Sequence, residues 1–166
     1  MMKINYVHCF ITQDQQFLML QRNNPPFKNM WNCVGGKIMP DETPREAVIR
    51  EVKEETGLDL QSVQFKGIAT WNQAGGMYIF VAETFTGELT ECTEGTLAWK
   101  SKEWILQSPE VVSSIRTILD DVLATDVPVE YALFYTGAEY EGNIWKYEVC
   151  RNDEHNDSKR ITRGLS

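Results

Sequence analysis

One stretch of the chain, Thr43 to Leu58, carries its own start and stop signals and constrains the fold more than any other feature. Thr43-Pro44-Arg45-Glu46 has the form of a capping box with proline at the first helical position. Gly57-Leu58 supplies a C-terminal stop with its apolar contact. Between them Val48, Ile49 and Val52 recur at helical spacing, which predicts a helix running to Thr56 and packed on a sheet. Glu51, Glu54 and Glu55 stand at i, i+3 and i+4, so they share one helix face within about a 100° arc. That face is expected to lie away from the apolar stripe.

Around this helix the pattern is mostly that of strands. Residues 4–12 and 17–21 are rich in β-branched and aromatic types and are joined by a polar turn, which predicts a hairpin. Residues 23–30 contain Pro25-Pro26 and are expected as a loop. Residues 63–73, 77–86 and 97–106 are read as further strands, the last carrying Leu97, Trp99, Trp104 and Ile105. Ser108-Pro109-Glu110 is expected to start a second helix, with Val111, Ile115, Ile118, Leu119 and Val122 on its buried face. Two strand-like runs follow at 129–136 and 143–149, and the polar residues 151–166 are expected as a flexible tail. Strands and helices mix without strict alternation, so the fold class is α+β. One domain over 1–150, with its core in 3–124 and an added hairpin in 125–150, accounts for the length.

Composition narrows the function classes. The chain has 166 residues and a net charge of −8, a poor match for a nucleic-acid polymer or an anionic membrane surface. No run of about 18 apolar residues is present, and the N-terminal residues lack a signal-peptide pattern. Cys9, Cys33, Cys92 and Cys150 are scattered without a C-x-x-C pair, which fits reduced thiols in a cytoplasmic protein.

Three glutamates on one helix face repel one another by a few tenths of a kcal/mol per pair, and Glu42 in the preceding loop adds to this. A hard divalent cation such as Mg²⁺ reverses the sign, because it takes carboxylate oxygens and bridges to substrate phosphates. Arg50, inside the cluster, can steady the carboxylates by a bidentate pair or contact phosphate; pairing with Glu46 is the plain alternative. An acidic helix face alone is common on solvated surfaces. The whole string is not: Gly36, Glu42, Arg50, Glu51, Glu54, Glu55, Gly57 and Leu58 match a fixed pattern at every position. Average residue usage puts a chance match on the order of 10⁻⁹ per starting point.

That string is the Nudix box, and the chain resembles the MutT/Nudix hydrolases. The resemblance implies an α/β/α sandwich with a mixed central sheet, the box forming a loop–helix–loop. It implies cleavage of a nucleoside diphosphate linked to another moiety, with Mg²⁺ or Mn²⁺. Matched residue by residue, Glu51, Glu54 and Glu55 correspond to metal-binding glutamates, and Gly35 to a position whose backbone carbonyl supplies a further ligand. Arg50 and Glu42 correspond to residues that support the site. Glu94 resembles an additional glutamate that serves as ligand or base in MutT-like enzymes, with a solvated loop residue as the alternative. The general base stays open among Glu51, Glu54 and Glu94.

The substrate is less legible. Trp31-Asn32-Cys33-Val34-Gly35-Gly36-Lys37 resembles the entry to the box in hydrolases of oxidised purine nucleotides. Asn32 has the donor and acceptor to read a purine edge, or can bond its own backbone. Arg22, Asn32 and Lys37 form the substrate-binding candidates. The Trp-Pro-Asp-Asp run with which one such subgroup reads the base is missing from Gln107–Val112. The leading expectation is a nucleoside triphosphate pyrophosphohydrolase of the 8-oxo-dGTP type. Hydrolysis of a nucleotide sugar or dinucleotide, and a non-catalytic nucleotide sensor, are the alternatives. The hairpin at 125–150 is read as a lid or as the edge of a homodimer. His8 and His155 are read as a strand and a tail residue rather than catalysts.

Overall fold

The computed structural model describes residues 1–72, 74–136, 146–153 and 156–163. Its order is β1 (Lys3–Gln13), β2 (Gln16–Arg22), β3 (Trp31–Lys37), α1 (Pro44–Thr56), β4 (Asp59–Leu60), β5 (Gln64–Trp71), β6 (Gly75–Ala82) and β7 (Phe85–Thr86). It continues with β8 (Gly95–Ser101), α2 (Lys102–Gln107), α3 (Ser113–Ala124), β9 (Val129–Thr136), β10 (Lys146–Asp153) and β11 (Asn156–Arg163). Nine strands form one sheet in the order β11-β10-β9-β5-β6-β1-β3-β2-β8, while β4 and β7 pair separately. The β1–β6 and β5–β9 pairings are parallel and the rest antiparallel, so the sheet is mixed.

Alternation along the strands sends apolar side chains to both faces. On one face Val7, Cys9, Ile11, Leu18 and Val34 pack with Ala47, Val48 and Val52 of α1. On the other, Phe10, Met19, Trp31, Cys33 and Ile79 pack with Ile105 of α2 and Ile115, Ile118, Leu119 and Val122 of α3. The expected α/β/α sandwich is therefore the fold, and of the face predicted for the second helix Ile115, Ile118, Leu119 and Val122 are buried on α3, while Val111 is buried just before it. No described helix is long and apolar enough to cross a membrane.

The strand that positions the site is β3. It pairs antiparallel with β2 through Trp31–Cys33 and antiparallel with β1 through Val34–Lys37. Because β1 and β2 themselves run antiparallel, the two halves of β3 head in different directions and the strand turns at Cys33–Val34. Asn32 secures this turn: its Oδ1 accepts the Cys33 N–H at 2.8 Å. On its other edge Trp31 donates to Glu110 O at 2.8 Å and accepts from Val112 N at 2.9 Å.

Five expectations are corrected. Residues 102–107 are helix α2, not the end of a strand, because Ser101 caps Trp104 N at 3.2 Å and turns the chain. Helix α3 begins at Ser113 rather than Ser108, because residues 110–112 are held against Trp31 instead. Ile49 is 41% exposed, and Ala47 takes its place in the buried stripe. With the stripe centred on Val48 and Val52, Glu51 and Glu55 flank it rather than pointing away; Glu55, at i+7 from Val48, lies within about 20° of it. Residues 156–163, expected within a flexible tail, pair with β10, since a strand ladder uses backbone groups and tolerates polar side chains. Residues 143–145 and His155 lie outside the described residues.

Replacing Asn32 with Ala leaves the buried Cys33 N–H without an acceptor. The expected cost is about 1–3 kcal/mol of stability, read by urea denaturation. An unchanged midpoint would show that the bend does not depend on Asn32.

Candidate active site

Helix α1 begins as its sequence specifies. Thr43 Oγ1 accepts from Glu46 N at 3.2 Å, and the Glu46 carboxylate accepts from Thr43 N at 2.7 Å. At the other end Gly57 adopts φ 81° and donates to Lys53 O. A Cβ at Gly57 would meet Thr90 and the Glu88 carbonyl within 3 Å. This close approach lets Thr90 N bond Thr56 O at 2.9 Å, latching residues 88–90 to the helix end. A few residues on, the Glu94 carbonyl accepts from Asn23 N at 2.9 Å, and Arg22 pairs with Gly95. Glu94 is thus held between the end of α1 and the end of β2.

Arg50 organises the carboxylates. Its Nε donates to Glu42 Oε2 at 3.0 Å and one Nη2 hydrogen to Glu42 Oε1, a bidentate pair. The second Nη2 hydrogen goes to Lys37 O at 3.0 Å, and Nη1 donates to Glu51 at 2.9 Å and Glu54 at 3.1 Å. Glu42 also accepts from Met39 N at 2.6 Å. The Arg50 hydrogen bonds, followed by that from Met39, hold the Glu42 carboxyl down at about 2. The alternative pairing of Arg50 with Glu46 is not the observed one: Glu46 is engaged with Thr43.

The helix meets β3 at two glycines. A Cβ on Gly36 would fall 2.4 Å from the Glu51 carboxylate, so only glycine lets that carboxylate lie on the strand. Gly35 N donates to Glu55 Oε2 at 3.0 Å. Glu55 is 4% exposed, and Glu94 lies within hydrogen-bonding reach of it. Burial foremost, then the neighbouring Glu94 and Glu51 charges working against the Gly35 hydrogen bond, push Glu55 up to about 8. Burial also raises Glu51, with Arg50 opposing and Glu54 and Glu94 adding to the rise.

The structure therefore brings together Arg50, Glu51, Glu54, Glu55, Glu94 and Gly35. Among the described residues no three acidic, histidine or cysteine side chains close around a single point, and Glu51 and Glu54 are turned toward Arg50. The donor set nonetheless suits a hard cation: all are oxygens, and the buried Glu55 carboxyl beside the exposed Glu94 sets two acidic groups together, which a divalent ion neutralises.

The substrate-binding candidates separate. Asn32 is 8% exposed and its oxygen is committed to the bend, leaving the amide NH₂ as its remaining donor. Arg22 Nε is bonded to Pro26 O at 2.8 Å at the strand end beside Glu94. Lys37 is exposed and contributes its carbonyl to Arg50. The sequence offered no sign of three further contributions: the Lys37 carbonyl, the Met39 N–H, and the latch from Thr90 to Thr56. All are backbone groups that only the fold brings near. It also gave no role to His8, whose imidazole is held neutral at about 4 by burial and the nearby Arg22 charge.

A sandwich with a capped acidic helix against a glycine pair defines a class, the Nudix hydrolases, which open phosphoric anhydride bonds. A Nudix domain model matches residues 2–122, and the chain belongs to this family. YvcI of Bacillus subtilis, an uncharacterized Nudix hydrolase, is 36% identical over 101 residues, covering 55% of this chain and 62% of that protein. The chain thus spans less than two thirds of that relative's length. The CTP pyrophosphohydrolase of Escherichia coli is 29% identical over 113 residues, 66% of this chain and 84% of its own. The crystal structure of a mutator MutT protein from Bacillus halodurans superposes with a TM-score of 0.71 at 26% identity, covering 86% and 95% of the two chains.

In metal-free buffer the folded state keeps a proton on Glu55 up to about 8, whereas the unfolded chain releases it near the ordinary value of about 4.3. Between those values the native state binds more protons, so stability falls as pH rises. Comparing urea midpoints in EDTA at about pH 5.5 and about pH 7.5, Glu55→Gln is expected to flatten this slope. An equal slope in both proteins would contradict the burial of an uncompensated carboxylate.

Proposed function

We propose that the protein is a Mg²⁺-dependent pyrophosphohydrolase that converts a nucleoside triphosphate to the monophosphate and pyrophosphate, with Mn²⁺ as a substitute metal. The observation that carries this reading is the arrangement of four glutamates around Arg50 and the Gly35–Gly36 strand. The triphosphate is favoured because the Escherichia coli relative is a CTP pyrophosphohydrolase and the Bacillus halodurans structure is a MutT protein. An oxidised purine of the 8-oxo-dGTP type is the first candidate, with the Asn32 amide as a donor to the base. Domain 1–150 acts on a small nucleotide, not a nucleic-acid polymer, in a cytoplasmic setting. A homodimer would form through β11, because β9 and β10 of the expected edge hairpin are paired on both sides.

Glu51, Glu54, Glu55, Glu94 and the Gly35 carbonyl would hold the cation. When bound, it supplies neutralisation of the polyphosphate charge and a water of lowered pKa. To hold the cation, Glu51 and Glu54 would give up their hydrogen bonds to Arg50 Nη1, while the bidentate Arg50–Glu42 pair would stay. In the hydrolysis a water oxygen would bond to phosphorus as the bridging P–O bond breaks and pyrophosphate leaves. The water proton would pass to a carboxylate of the cluster, with Glu51, Glu54 and Glu94 as the candidate bases. Developing charge is stabilised by groups already oriented, which is where most of the rate enhancement in phosphoryl transfer arises.

Pyrophosphate release from a nucleotide panel with Mg²⁺ tests this. The Glu54→Gln variant is expected to lose about 10²–10⁴-fold in kcat while retaining its fold. No release from any nucleotide, or an unaffected variant, would sink the proposal.

A further inference from the structure

We propose that Gly95 and Thr90 are positioning residues that set the Glu94 carboxylate beside Glu55 and so fix how tightly the cluster holds a divalent cation. The proposal rests on the reading of that cluster as a cation site, and adds what delivers its loop-borne member.

Glu94 ends the segment 87–94, which runs from β7 to β8 without helix or strand. Every residue of this segment is exposed except the half-buried Cys92. Packing therefore does not place Glu94 as it places Glu55, which is buried on a helix packed against the sheet. A segment with so little buried surface opens readily unless its backbone is tied.

Two ties bracket the stretch that matters. Thr90 N–H donates to the carbonyl of Thr56, the last residue of α1, at 2.9 Å. The Glu94 carbonyl accepts from Asn23 N at 2.9 Å. Only Glu91, Cys92 and Thr93 lie between these anchors, so both of them set where Glu94 leaves the chain.

Gly95 decides whether the second tie can close. It is buried and pairs with Arg22 at the end of β2. A Cβ there would overlap the Gln21 carbonyl and come within 3.0 Å of Leu20. Gln21 is paired with Trp31 on its other side, so β2 cannot step away. Gly95 is not among the glycines of positive φ, so the demand is for space and not for a special backbone conformation. A larger residue would lift the start of β8 off β2 and carry Glu94 with it.

Small shifts matter at this point. Glu94 stands within hydrogen-bonding reach of Glu55. Mg²⁺ takes oxygen ligands only near about 2.1 Å, so a displacement of about 1 Å removes a carboxylate from its shell. The coupling is reciprocal: ties that strengthen cation binding are strengthened by the cation in turn.

The test follows Mn²⁺ uptake by electron paramagnetic resonance through a double-mutant cycle. Glu94→Gln is expected to weaken uptake about tenfold. Gly95→Ala, and Thr90→Pro, which lacks the N–H, are each expected to weaken it about three- to tenfold. In the Glu94→Gln background each is expected to add less than about twofold. Equal losses in both backgrounds would show that the two residues only support the fold, and overturn the proposal. Wild-type affinity in both single variants overturns it as well. In the unaltered protein, hydrogen exchange at the Thr90 and Asn23 amides is expected to slow severalfold when Mg²⁺ is added. Exchange at both amides that ignores Mg²⁺ overturns the proposal even where neither variant folds. A wild type that takes up no Mn²⁺ overturns the cation-site reading along with this one. Wild-type uptake accompanied by any of the earlier contrary results removes only this one.

Discussion

Arg50 spends all five of its N–H donors inside the box, and the rest of the site depends on where they go. The bidentate pair to Glu42 ties the loop before the helix to the helix itself. The bond to the Lys37 carbonyl ties the helix to the end of β3. The remaining hydrogens steady Glu51 and Glu54, whose mutual repulsion would otherwise splay them. A lysine, with a single ammonium and no fork, cannot make this set. The net charge of −8 fits the proposed function, in which a polyanionic substrate would be reached through cations rather than through a basic surface.

The second constraint is the bend in β3. By changing partners from β2 to β1, the strand turns Gly35 N–H toward the helix, where Glu55 takes it. Glycine at 35 and 36 is required by contact: a Cβ on the first would strike the Val7 carbonyl, and on the second the Glu51 carboxylate. A carboxylate buried this way is destabilised as an anion, and the neighbouring Glu94 increases the penalty. The fold thus holds a local electrostatic cost beside well-packed cores on both faces, a pattern expected where binding rather than stability sets the residue choice.

Much of this was legible in the chain because it is local. The caps, the spacing of Glu51, Glu54 and Glu55, and the apolar stripe of α3 are each written within a few residues. What was not legible is tertiary. Which side of α1 is inside turns on Ala47 and Glu55, which are buried, while the apolar Ile49 is exposed. Asn32-Cys33-Val34-Gly35-Gly36 is poor strand material by composition, yet long-range pairing makes it a strand. Trp104 and Ile105 favour strands intrinsically, and a serine cap places them in α2. Glu94 could be singled out only through the family resemblance; its place beside Glu55 depends on a loop latched to the end of the helix.

A cation site ordered by Arg50 would take up a divalent ion before any nucleotide arrives. The most direct measurement is a Mn²⁺ titration followed by electron paramagnetic resonance, in the wild type and in Glu51→Gln, Glu55→Gln and Arg50→Lys variants of confirmed fold. The wild type is expected to take up Mn²⁺ in the absence of nucleotide, with at least about tenfold weaker uptake in each variant. Equal uptake in all four proteins, or none in the wild type, would contradict it.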